Sequence, residues 1–429
     1  MSLKLLIYVC RKLLVPFAIF DLFVKIISAF TSHFKPLIGL NEHYLSVLSE
    51  TEMIFLSLLD RSWTCSCGKH SMPKVEIIVD NGVLQKIPDL INKLDLGRSC
   101  AIVDDANTRK VAGLEIMDLL RSNDCSVSEV VVNNPDETNV SKVVAATQDK
   151  DFLIGVGGTS VLDVTKLAAY RKGSRYILFS TGMANDGMSS KTCSIIVGGK
   201  KETIPVNLAD AVIVDMTILS RAPSWMIAAG CGDLVADVTA IKDWQLGRDD
   251  KKEPYCDSLA DWEMSALDSV MNNLEQIRSR TESGTKSLVW ALIKKGLGMS
   301  MWGSSRPASG SEHLWSHWLD HYAEEHNTRL GQHGEQVGIG TLLMAKYHQL
   351  YNPNWWSAEE RPNYQAESIT SFLRDVGAYT NPTEIGVSRE LSIQAFLGAW
   401  QYRKTRYTIL HKRHPDLSDA EKTMNGLRM

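Results

Sequence analysis

Residues 151–172 read DFLIGVGGTSVLDVTKLAAYRK. An apolar run of strand length meets Gly157-Gly158, and a helix-spaced segment opens directly behind it. The same alternation recurs on either side. KVEIIVD (74–80), CAIVDD (100–105), SEVVVNN (128–134), RYILFST (175–181) and IVDMTIL (213–219) read as strands. GVLQKIPDLINKL (82–94), residues 109–122 and VSKVVAATQ (140–148) read as helices. Strands alternating with helices predict a parallel, doubly wound sheet. After Ala222-Pro223 the composition shifts to Leu, Met, Ala, Trp and His at helical spacing, and strand runs stop. The expected fold is therefore α/β plus all-α: an apolar extension over 1–64, an α/β domain over 65–222 and an all-helical domain over 223–429. GRDDKKEPYCD (247–257) reads as a loop within the helical part, and NPNWWSAEERPNYQ (352–365) as a connection.

The chain has 429 residues, enough for two or three domains with a sizeable core. With 44% hydrophobic and 22% charged residues it has the composition of a soluble globular protein, and a net charge of −4 argues against nucleic acid as a partner. The eight cysteines are scattered, save Cys65-Ser66-Cys67 with His70 close behind. With no second C-x-C, reduced structural thiols are favoured over a zinc knuckle, and a reducing, cytoplasmic compartment follows. Residues 1–31 are strongly apolar but broken by Arg11, Lys12, Asp21 and Lys25, so they do not read as a membrane span. Three readings stay open: an interfacial helix making peripheral membrane contact, a segment docked on the body, or an artefact of start-site choice.

GVGGTS (155–160) can cradle a pyrophosphate, because glycines let backbone approach the anion and the helix N-terminus favours negative charge. A plain tight turn is the alternative, since the spacing is not G-x-G-x-x-G. Asp104 ends an earlier strand, where an acid can accept hydrogen bonds from a ribose. STGMANDGMSS (180–190) follows the next strand and presents Thr181, Asn185, Ser189 and Ser190 at its carboxyl end.

The helical part carries GSSRPASGSEHLWSHWLD (303–320) and LGQHGEQVG (330–338). His313 and His317 share one helix face, and His333 sits in a Gly-flanked segment able to fold back on them. With Asp233 in AAGCGDLVAD, two histidines and a carboxylate would hold a divalent metal with an open position. Such a Lewis acid polarises a substrate oxygen while a hydride passes to or from a nicotinamide. His321 lies about 12 Å along the helix from His313 and is the weaker candidate ligand.

CSCGKH, VDDANTRKVAG, GVGGTSVLDVTKLAA, the NDG loop, AGCGDLVADVTAIKDWQLG, SSRPASGSEH, HGEQVGIGT and YRKTRYTIL together resemble the sn-glycerol-1-phosphate dehydrogenases. These lie within the superfamily of iron-containing alcohol dehydrogenases, glycerol dehydrogenases and dehydroquinate synthases. The resemblance runs from about Cys65 to Thr408. It implies Asp233, His313 and His333 as ligands of one divalent metal, zinc as the usual ion with nickel or iron as alternatives. It implies His317 and Asp186 as catalytic or substrate-contacting residues. Gly157, Gly158, Thr159, Ser160, Asp163, Thr181, Ala184 and Ser190 would contact NAD or NADP, and Asp104 would take the adenosine ribose. The implied reaction is the reversible reduction of dihydroxyacetone phosphate to sn-glycerol 1-phosphate, a backbone of ether phospholipids, in a homodimer. GMANDGMSS departs from the usual small-residue run before Asp-Gly. Trp315 and Trp318 beside the histidines read as core. Arg306 and Lys191 are the candidate phosphate contacts. The alternatives are a dehydroquinate-synthase-like cyclase or lyase, a reductase of another phosphorylated or phosphonate carbonyl compound, and a non-catalytic membrane-associated scaffold.

Overall fold

The structure is a computed structural model that describes residues 62–403 and 405–429. The apolar segment 1–31, with its three readings, lies outside the described residues. Among the described residues no helix is long and apolar enough to cross a membrane.

Among the described residues ten strands form: β1 (Ser62–Cys65), β2 (Gly68–Ser71), β3 (Glu76–Asp80), β4 (Ser99–Asp104), β5 (Ser126–Val131), β6 (Phe152–Gly157), β7 (Arg175–Ser180), β8 (Thr192–Val197), β9 (Lys200–Pro205) and β10 (Ala211–Asp215). Six make one sheet in the order β3-β10-β7-β6-β4-β5, and every neighbouring pair is parallel. The expected doubly wound sheet is therefore present. Its central strands are buried on both faces, which is why β6 is apolar throughout rather than alternating. The pleat still sorts its residues. Phe152, Ile154 and Val156 join the apolar cluster containing Ile87, Leu90, Ile116 and Leu120, from α1 (Ile87–Lys93) and α2 (Leu114–Arg121). Leu153 joins the cluster containing Val140, Val143, Val161 and Leu162, from α3 (Glu137–Ala146) and α4 (Thr159–Lys172).

The expected last strand is shortened. Asp215 ends β10 because its carboxylate accepts from the backbone N–H groups of Thr217, Gly82 and Leu84, so residues 216–219 turn into a short helix instead. Two antiparallel hairpins, β1–β2 and β8–β9, were not expected. Gly198 and Gly199, both at positive φ, make the tight turn of the second.

The longer helices beyond the sheet are α5 (Trp225–Val235), α6 (Asp237–Lys251), α7 (Asp257–Asn272), α8 (Glu282–Trp302), α9 (Ser311–Glu325), α10 (His333–Tyr351), α11 (Ala366–Asp375), α12 (Arg389–Gly398) and α13 (Leu417–Gly426). α6 continues through Lys251 and ends only where Lys252 takes φ 56°, so residues 247–251 are helix rather than loop. Trp315 is fully buried in an apolar cluster with Leu314, Leu319, Ile339 and Phe396.

Candidate metal centre and cofactor cleft

Three helices deliver the acid and the histidines: α5 carries Asp233, α9 carries His313 and His317, and α10 begins at His333. α5 and α10 can touch because their facing positions are glycines. A Cβ on Gly232 would lie 2.2 Å from the Gly334 carbonyl oxygen, and one on Gly334 would lie 2.1 Å from that of Ala229. Those glycines bring the neighbouring Asp233 and His333 side by side. Asp233 Oδ1 lies 3.8 Å from His313 Nε2 and 3.8 Å from His333 Nε2. All three ligand atoms fall within 4.8 Å of one another. Metal–nitrogen and metal–oxygen bonds near 2.0–2.2 Å put tetrahedral ligand edges at about 3.4 Å. One carboxylate oxygen and two imidazole nitrogens at this spacing therefore suit one divalent ion.

The surrounding groups prepare each ligand. His313 Nδ1 donates to Glu312 Oε1 at 2.8 Å, which leaves the Nε2 lone pair free for a cation. Glu312 is itself buried and held by the Gly310 N–H and the Thr239 hydroxyl. Burial pushes the Asp233 carboxyl up, but Lys295, His333 and His313 outweigh it and the net shift is downward. Burial, with the charges of Lys201 and His313, lowers His333 to about 3, so its ring is neutral and able to ligate.

Lys295 was missed from the sequence. It is fully buried in α8, 3.5 Å from Asp233 Oδ2, 3.2 Å from Asp237 Oδ1 and 3.8 Å from Asp186 Oδ2, and it donates to the Asp233 carbonyl. Its signal was a lysine pair inside the apolar run SLVWALIKKGLG (287–298). Burial alone would neutralise Lys295, but Asp233, Asp237 and Asp186 hold its proton on. Burial drives the carboxyls of Asp237 and Glu263 well up, and the Lys295 charge opposes that shift at both. Asp186 is raised to about 7 by burial and by Asp233. Its backbone N–H donates to Asp233 Oδ2 at 3.2 Å, which ties the NDG loop to the ligand set.

His317 lies one turn beyond His313, with ring centroids 6.3 Å apart, and is not among the three clustered atoms. Burial, together with the positive charges of Arg403 and Lys201, holds it neutral. His321 pairs instead with Glu325 at 3.1 Å.

The cleft beside this cluster lies where the sheet reverses direction. From β4 the chain steps outward to β5, then crosses back to β6 on the other side of β4. The crevice at such a reversal is where open α/β sheets bind ligands. Gly157 and Gly158 end β6 there, and no side chain among the described residues caps the N-terminus of α4. Thr159 and Ser160 open that helix, leaving its first N–H groups for an anion. A Cβ on Gly157 would lie 2.6 Å from Val161 Cβ, so the turn needs glycine. Thr181 N–H donates to the Gly157 carbonyl, and Thr159 Oγ1 donates to Asn185 Oδ1, so the two loops are tied to each other. Ala184 is half-buried in the second loop. Asp104 ends β4 fully buried, and neither carboxylate oxygen has a hydrogen-bond partner among the described residues. Burial, helped by Glu129, raises it to about 7.

Two expected cofactor contacts are turned inward. The Asp163 carboxylate accepts from Lys166 and from the Ser194 N–H. The Ser190 hydroxyl donates to the Thr192 carbonyl and accepts from Lys166. Lys166 also donates to the Gly187 carbonyl, so these residues brace the NDG loop from behind rather than face a ligand. The candidate phosphate contacts change as well. Arg306 is buried against Glu253 and the carbonyls of Asp243 and Tyr407, while Lys191 is exposed. Lys201, paired with Asp320 at 2.8 Å, and Arg403, donating to Thr203, are the cations near His317.

Residues 78–223 match the family model described as iron-containing alcohol dehydrogenase. The chain is 35% identical over 349 residues to a Pyrococcus horikoshii protein named glycerol-1-phosphate dehydrogenase [NAD(P)+], covering 81% of this chain and 95% of that one. It is 36% identical over 337 residues to a Pyrococcus furiosus protein of the same name, covering 78% of this chain and 92% of that one. Among solved structures it is similar to glycerol dehydrogenase from Schizosaccharomyces pombe, with TM-score 0.64 and 18% identity, covering 83% of this chain and 89% of that one. That likeness speaks to the fold alone.

Proposed function

Because the chain belongs to the glycerol-1-phosphate dehydrogenase family, we propose that it moves a hydride reversibly between NAD(P)H and dihydroxyacetone phosphate, with sn-glycerol 1-phosphate as the reduced product. The observation that carries this reading is the meeting of Asp233 Oδ1, His313 Nε2 and His333 Nε2 beside the glycine turn at the end of β6. Asp233, His313 and His333 would hold one divalent metal, zinc being the ion that best suits two imidazoles and a carboxylate with a position left for substrate. When bound, that ion supplies Lewis-acid polarisation of the substrate oxygen.

The chain's own residues do the rest. Glu312 fixes the His313 tautomer. Lys295 keeps Asp233 anionic without offering a competing ligand. Asp186 is half-buried with a pKa of about 7, so it can hold or give up a proton at the substrate oxygen near neutral pH. His317 stays neutral and can hydrogen-bond a substrate hydroxyl. Lys201 and Arg403 supply positive charge for a phosphate on the same side. The α4 N-terminus would take the dinucleotide pyrophosphate, and Asp104 would accept from the adenosine ribose. An unesterified ribose suits that acid better than a 2′-phosphate, which favours NAD.

The test is to follow reduced nicotinamide while metal-loaded protein meets dihydroxyacetone phosphate, with chiral analysis of the product. Stoichiometric oxidation of NADH and formation of sn-glycerol 1-phosphate support the proposal. The opposite enantiomer, or product formed without net oxidation as a cyclase would give, sinks it.

A further inference from the structure

Far from the cleft in the chain, the C-x-C pair gains a partner that no local motif announced. The β1–β2 hairpin turns over Cys65–Gly68 and presents Cys65, Cys67 and His70. Cys256, fully buried, sits immediately before α7 and meets them from 186 residues beyond His70. His70 Nε2 lies 3.2 Å from Cys65 Sγ, 3.1 Å from Cys67 Sγ and 3.3 Å from Cys256 Sγ. The Cys65 sulfur is 2.9 Å from that of Cys67 and 3.5 Å from that of Cys256. All four ligand atoms lie within 4.8 Å of one another.

One nitrogen roughly equidistant from three sulfurs describes a tetrahedron. Zinc–sulfur bonds of 2.3 Å and zinc–nitrogen bonds of 2.0–2.1 Å give edges of about 3.5–3.8 Å. The three nitrogen–sulfur edges and the Cys65–Cys256 edge lie within about 0.5 Å of that range, and the Cys65–Cys67 edge would open by about 0.9 Å. Hydrophobic burial does not account for the grouping, because Cys67 is exposed while Cys256 is buried. A paired-thiol reading does not account for it either, since three sulfurs share a single imidazole. Three soft donors and one imidazole with no fifth position form the closed set of a structural site, not the open set of a catalytic one.

We propose that Cys65, Cys67, His70 and Cys256 bind a second zinc ion, structural rather than catalytic. Its work is mechanical. The hairpin has two strands of four residues each, too short to hold its place unaided. The ion fastens it to the start of α7, which packs on the Lys295-bearing helix α8. It thus closes a very long loop between the first described residues and the helical part.

Cobalt tests this on the full chain, because thiolate-to-cobalt charge-transfer absorption reports sulfur ligands and is silent for Asp233, His313 and His333. Cobalt-loaded wild type and His313→Ala should both show the band, with the variant holding one fewer cobalt per chain. The Cys67→Ala/Cys256→Ala double variant should lose the band. Absence of the band from His313→Ala overturns the proposal, and so does its persistence in the double variant. Because His313→Ala keeps every thiol ligand, a double variant that fails to fold does not remove the test. Free-thiol titration of the wild type is the second measurement: zinc should slow the reaction of Cys65 and Cys67, and an unchanged rate, or a disulfide between them, overturns the assignment.

Discussion

Asp233, His313 and His333 arrive from three separate helices and stop at three ligands, whereas the cysteine cluster gathers a hairpin and a helix start into four. The difference in donors matches a difference in surroundings. Around the first cluster stand the buried ionisable groups Lys295, Asp237, Glu263 and Glu312 and the half-buried Asp186, which a purely structural ion would not need. They set the protonation of the ligands and leave a side for substrate. The second consists of three sulfurs and a ring nitrogen, a donor set that would complete a tetrahedron without solvent or substrate. An open site is tuned by its neighbours; a closed one is defined by its ligands.

That contrast can be broken in several ways. His313→Ala should cost on the order of 10²–10³-fold or more in turnover, as loss of a principal electrostatic stabiliser does, while circular dichroism stays native. Retained turnover would place the chemistry elsewhere. Lys295→Met should come next, since it strands the Asp233 carboxylate in the core. Denaturant unfolding of metal-free protein should show a loss of about 3–5 kcal/mol, the usual result of breaking a buried pair. An unchanged midpoint would mean that the buried acids carry no charge. Glu312→Gln keeps the shape but weakens the hold on His313 Nδ1. Metal affinity at the open site should fall about 10–100-fold while the thiolate site is unaffected; a drop at both would erase the distinction drawn between them.

Asp104→Asn should have the smallest effect on turnover and act on the cofactor alone. The KM for NADH should rise about tenfold, the equivalent of one hydrogen bond to a charged group, with the KM for dihydroxyacetone phosphate unchanged. The same residue carries a pH signature in the cofactor-free protein. Its carboxyl is raised from 3.8 to about 7, so the folded chain keeps a proton that the unfolded chain releases across that window. This group therefore favours the fold at low pH and its contribution is lost as pH rises from 3.8 to about 7. The amide that replaces it carries no such proton, so the variant's stability should lack that downward slope, and an identical pH profile would reject the shift.

The sheet was legible because its strands are continuous apolar runs such as FLIGVG, each closed by a turn and followed by a helical spacing. The histidines were legible because the separation of His313 and His317 puts both on one helix face and His333 sits in a Gly-flanked segment able to fold back on them. What was not legible depended on distant partners. Cys256 stands alone in its own segment, so nothing local linked it to Cys65-Ser66-Cys67. Lys295 reads as one of two adjacent lysines on a helix, and only the fold turns it toward Asp233 and Asp237. Asp163 and Ser190 lie in the right loops, but Lys166 draws both side chains inward. Arg306 sits in a Gly/Ser-rich segment that suits a phosphate contact, but Glu253, 53 residues away, takes its guanidinium. The β8–β9 hairpin does carry a local signal, since TCSIIVGGKKETIP places β-branched residues on both sides of a Gly-Gly turn.

The most direct measurement is a crystal of zinc-loaded full-length protein, with anomalous difference maps recorded on both sides of the zinc absorption edge. A peak is expected within bonding distance of Asp233 Oδ1, His313 Nε2 and His333 Nε2, with one ligand position facing the cleft. Zinc bound elsewhere, with those three side chains making no shared contact, would contradict it.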